Sequence, residues 1–113
     1  MLKMFRLRSR ERDLGTDRDR YERLVRTLDE LSTQAGKEKV GLCNRHEIIS
    51  RDAAFSQQAA ENGMETAESS ARIEKLTEAL IRYSDRITSL DQQIAYFEKI
   101  RANVVIFMES IRP

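Results

Sequence analysis

Between residues 73 and 111, large apolar side chains return at alternating steps of three and four: Ile73, Leu76, Leu80, Tyr83, Ile87, Leu90, Ile94, Phe97, Val104, Met108 and Ile111. The series misses once, where Arg101 stands between Phe97 and Val104. This spacing is incompatible with the two-residue period of a strand and lines one face of a long α-helix in the a and d pattern of a coiled coil. Burying each large aliphatic side chain contributes roughly 1.5–3 kcal/mol. The stripe therefore needs a cover, from the same chain, a second copy or another protein.

The first half of the chain offers one. Tyr21, Leu24, Leu28, Leu31 and Ala35 repeat the three-four step, with Val25 widening the stripe. Gly15-Thr16 predicts the helix start, because Thr16 can accept a backbone N–H bond and Asp19 has capping-box spacing. Gly36 and Gly41 flank the polar stretch KEK, and Asn44 with Glu47 is a fresh capping signature. A weakened or broken arm is expected there, with a kinked continuous path favoured, because Leu7, Leu14, Tyr21, Leu28, Ala35, Leu42 and Ile49 keep a spacing of seven across it. From 45 to 61 the apolar residues become small, mostly alanine, which favours helix but buries little area.

Asn62-Gly63 is the strongest turn signal, and Thr66 or Glu65 opens the last helix. The expected fold is all-α: a long antiparallel two-helix coiled-coil hairpin with arms 16–62 and 64–112, a turn at 62–63 and a basic N-terminal arm over 1–15. Each arm would run about 70 Å at 1.5 Å per residue. Antiparallel pairing sets Leu24 beside Val104, Leu31 beside Phe97 and Ile49 near Leu80. It also brings Glu22, Asp29 or Glu30 within reach of Arg101. Apolar content falls from the open end toward the turn. At the open end, Val104 to Met108 is apolar nearly all round and Ile100 lies off the main seam, which is more than one partner helix can cover.

Little else in the chain points to chemistry. Cys43 and His46 have metal-ligand spacing, but this is the only cysteine and the only histidine, and structural zinc takes four ligands. A small, buried or half-buried cysteine and a surface histidine are expected instead. Carboxylates alternate with arginines at helical spacing, as in Glu22 with Arg26 and Glu78 with Arg82, which is the pattern of a solvated helix face. No phosphate-cradling loop, nucleophile elbow or zinc-protease helix occurs. The expectation is a non-enzyme with no catalytic, cofactor-binding or metal residues.

A single cysteine is compatible with a reducing compartment, and no apolar run approaches the roughly 18 residues of a membrane span. A cytoplasmic protein is expected. In length, basic start and paired heptad arms the chain is similar to the small coiled-coil stalk and adaptor proteins of bacterial type III and flagellar export, a likeness of form that assigns no residues. The favoured function is a protein-protein interaction module, a coiled-coil adaptor, stalk or scaffold component. It would bind a protein partner or itself through Ile100, Arg101, Val104, Val105, Phe107, Met108 and Ile111. The alternative is a binder of nucleic acid or an anionic membrane surface through Lys3, Arg6, Arg8, Arg10 and Arg12, with the hairpin as dimerisation stem. Against it stand a net charge of +1 and the acids Asp13, Asp17 and Asp19 directly beyond the arm.

Overall fold

Ser9 stops the first helix from fraying at its start. Its hydroxyl accepts the Arg12 backbone N–H at 3.3 Å and its carbonyl accepts that of Asp13 at 3.1 Å. Glu11 and Asp13 add negative charge to the first turn, where the helix dipole favours it. The computed structural model describes residues 9–64 and 66–112, and in it helix α1 spans Arg10–Ala59. The helix thus begins six residues ahead of the expected Thr16, because Ser9 supplies the cap about two turns earlier. Gly15 and Thr16 lie inside it.

Helix α1 also passes through Gly36 and Gly41 without a break, as the favoured path required. Each glycine costs about 1 kcal/mol relative to alanine in a helix interior. Ala35 and Leu42, both buried, flank the pair and anchor this stretch. Ion pairs add to the anchoring. Arg86 bonds both carboxylate oxygens of Glu38, at 2.7 and 3.1 Å, and Lys39 Nζ meets Asp91 at 2.5 Å.

The chain reverses through Ala60–Met64, where Gly63 takes φ 84° and ψ 10°. That is the left-handed conformation glycine adopts without a Cβ clash, so the Asn-Gly turn signal is realised at the expected place. Helix α2 spans Ala67–Ser110. Thr66 caps it in a reciprocal box: the Ser69 N–H donates to Thr66 Oγ1 at 3.0 Å, and the Thr66 N–H donates to Ser69 Oγ at 2.8 Å. Serine here does the work usually given to glutamate at that position.

The two helices pack side by side as an antiparallel helical hairpin, in two units: a terminal unit, described over 9–34 and 94–112, and a turn unit, Ala35–Gln93. In the turn unit Ala35, Leu42 and Leu90 are buried, Leu90 with 1% exposure. In the terminal unit Leu28 is the buried side chain among the described residues. No helix of the described residues is long and apolar enough to cross a membrane.

On α2 the expected seam is the observed one, from Ile73 through Ile111, each member buried or half-buried. On α1 the seam differs from expectation. Leu14, Tyr21, Leu28, Ala35, Leu42 and Ile49 form one inward row, as their spacing of seven requires. The second row is Val25, Ser32, Lys39, His46 and Ala53, four residues beyond each member of the first from Tyr21 on, all half-buried. Leu24 and Leu31, expected in that role, stay 41% and 38% exposed. The inward second row is therefore mostly small or polar, and two leucines are left on the outside.

Candidate functional site

The terminal unit presents two unlike sides, and helical periodicity assigns residues to each. Positions 18, 22, 25 and 29 of α1 fall on one side of the inward row, and 101, 105 and 108 of α2 on the corresponding side of theirs. These strips meet. Arg101 Nε donates to Asp29 Oδ1 at 2.7 Å, and a depression of about 550 Å³ is lined by Arg18, Glu22, Val25, Arg26, Val105, Met108, Glu109 and Arg112. This side is charged, with both signs interleaved.

On the other side of the inward rows lie Leu24, Thr27, Leu31 and Gln34 of α1 and Tyr96, Ile100, Asn103 and Phe107 of α2. None of these eight side chains carries a charge; one turn earlier the α1 strip continues into the mutually neutralising pair Asp17 and Arg20, 3.6 Å apart. Phe107 packs edge-on against Tyr21, with ring centroids 5.2 Å apart and planes at 71°, a geometry worth about 0.5–1.5 kcal/mol beyond area burial. That contact orients Phe107 and still leaves it 48% exposed, while Tyr96 is 62% exposed. A side that is apolar, uncharged and open to solvent has the composition of an interface core, where charge is depleted and aromatics are enriched. Monomer surfaces seldom carry such a strip without a partner for it.

The expected binding residues are distributed over three environments. Val104, Met108 and Ile111 are half-buried in the seam, so they hold the hairpin together. Arg101 and Val105 belong to the charged side. Arg101 is paired with Asp29, one of the three acids expected near it, and both side chains are about half exposed, 47% and 52%. Ile100 and Phe107 belong to the uncharged side, with Ile100 half-buried. Leu24, Leu31 and Tyr96 join them there. The signal for the two leucines was present in the sequence, since they fit the same repeat as Val25 and Ser32 read from the opposite edge.

Of the candidate polyanion contacts, Lys3, Arg6 and Arg8 lie outside the described residues. Arg10 and Arg12 sit in the first turn of α1. Cys43 and His46 reverse their expected places. Cys43 is exposed, and half-buried His46 faces Ser84 Oγ from Nε2 at 3.2 Å and Ser50 Oγ from Nδ1 at 3.5 Å. No group of three or more His, Cys, Asp or Glu residues that could hold a metal occurs among the described residues.

No family model, curated protein or solved structure matches this chain.

Proposed function

We propose that this chain is a non-enzymatic, cytoplasmic interaction module, a coiled-coil adaptor or scaffold component that docks through the uncharged side of its terminal unit. The observation that carries this reading is the joint exposure of Leu24, Leu31, Tyr96 and Phe107 on one side of a helix pair whose other side is charged. Burial of these side chains contributes about 25 cal/mol per Å² of apolar surface removed from water, and no other segment of the described chain lies over them to supply it. Val25, Ser32 and the seam residues already satisfy the contact between the helices, so the strip is free for a partner helix or face.

Photo-crosslinking tests the proposal. With a photoreactive amino acid at position 31 or 107, the full chain expressed in the cells that make it is expected to capture a protein, itself or another. The same probe at position 26, on the charged side, is expected to capture far less. Equal capture from both sides, or none from either, would overturn the assignment of the docking face.

A further inference from the structure

Resting on the reading of the uncharged side as a docking face, we infer that its occupant is a second copy of this chain, the two terminal units pairing into a four-helix bundle. Surface area supplies the first argument. The chain exposes 9154 Å², whereas a compact monomer of 13.2 kDa is expected to expose about 6,400 Å². The difference is about 2,700 Å². A permanent homodimer removes about 1,000–2,500 Å² from each copy, so a single second copy absorbs between about a third and nine-tenths of it.

Charge supplies the second argument. A two-fold interface sets the same patch against itself, so a face dominated by one sign of charge would repel its copy. Gln34 and Asn103 intersperse the apolar residues with amides that both donate and accept hydrogen bonds and can pair with their own kind, while the Thr27 hydroxyl donates to the Arg23 carbonyl at 3.0 Å. With a net charge of +1 the whole chain adds almost no repulsion between copies. Leu24 and Leu31, seven residues apart, give each α1 a two-turn ridge suited to the shallow crossing angle of four-helix bundles. A partner of unlike sequence would need none of this self-complementarity.

Two experiments on the full chain test the inference. In the first, Cys43→Ser removes the native thiol and a cysteine is placed by Thr27→Cys, between the two leucines, or by Arg26→Cys, on the charged side. A short bismaleimide is expected to join two copies through position 27 at micromolar protein and to leave position 26 largely unjoined. Equal yields at both positions would overturn the pairing. In the second, the variant carrying both Leu24→Glu and Leu31→Glu is followed by sedimentation. Its mass is expected to fall by half with helicity retained, because both leucines lie outside the two inward rows of α1. A variant that stays helical and keeps the wild-type mass would overturn the proposal. Should position 27 give no linked pair while the photoprobe at position 31 captures a different protein, self-pairing fails and the docking face stands; capture from neither side defeats both.

Discussion

Leu90→Ala is the most informative single change inside the hairpin. Leu90 is the one fully buried large side chain among the described residues, with 1% exposure. Truncation to alanine loses about three carbon groups at roughly 0.8 kcal/mol each, close to 2.4 kcal/mol of transfer energy. A residual cavity adds to this, and Leu→Ala changes in well-packed cores reach about 2.7–5 kcal/mol. Here only two helices line the site and they can close in, so the expected loss is near the lower bound, about 3 kcal/mol. Domains of this size are stable by about 5–15 kcal/mol, so the change removes roughly a fifth to three-fifths of the total. With a urea slope of about 2 kcal/mol/M, the unfolding midpoint followed by circular dichroism should drop by about 1.5 M. Wild type and variant must be compared at one protomer concentration, since association contributes to the midpoint. Leu31→Ala serves as the control at very low concentration, where its 38% exposure limits the loss to about half as much. A Leu90→Ala variant that loses less than about 1 kcal/mol would show that Leu90 is not clasped between α1 and α2, and the packing described above would be wrong.

Other outcomes follow from particular residues. Gly36→Ala and Gly41→Ala should each stabilise by about 0.5–1 kcal/mol, since a Cβ at either position meets nothing within 4 Å. Gly63→Ala should destabilise by about 1 kcal/mol or more because of its φ of 84°, and thermal melts that rank the three in any other order would contradict the assigned turn. Arg101→Leu restores an apolar residue to the α2 seam and gives up only an exposed ion pair worth at most about 1 kcal/mol, so the melting temperature should rise; a clear fall would mean that the Asp29 pair matters more than its exposure allows. Hydrogen bonding to Arg86 holds the Glu38 carboxyl below the usual carboxylate value, with the Arg86 charge adding to it. Its contribution is thus complete above the ordinary carboxylate range and is lost as pH falls through the lowered value. The Asp91 hydrogen bond raises Lys39, whose contribution is complete below the ordinary lysine value and lost as pH climbs through the raised one. Glu38→Gln should therefore flatten the acid limb of a stability-pH curve and leave the alkaline limb unchanged.

Much of the fold was legible because its signals are local or strictly periodic. The α2 seam needs no partner to be recognised, and Asn62-Gly63 and Thr66 announce the turn and the cap by chemistry that acts within four residues. The start of α1 was less legible: Ser9 and Thr16 are both competent caps, and only the three-dimensional outcome shows which one the chain uses. The hardest feature was the inward second row of α1. Tyr21, Leu28 and Ala35 can be completed by Leu24 and Leu31 on one edge or by Val25 and Ser32 on the other, and hydrophobicity favours the leucines. The helix pair takes the other edge, where half-buried Lys39 and His46 find Asp91 and Ser84 across the contact. Those partners lie 38 or more residues away in the chain, so the choice is not visible in a local pattern. The same choice places Leu24 and Leu31 outside, and it moves the candidate site from the whole apolar run after Ile100 to one uncharged side.

The mass of the unmodified chain in solution, measured by light scattering at tens of micromolar and physiological salt, tests the self-paired face most directly. The expected mass is twice the 13.2 kDa of a single chain, little changed when salt is raised, because apolar contact and not charge attraction holds the face together. A stable, well-folded particle of one chain mass would contradict it.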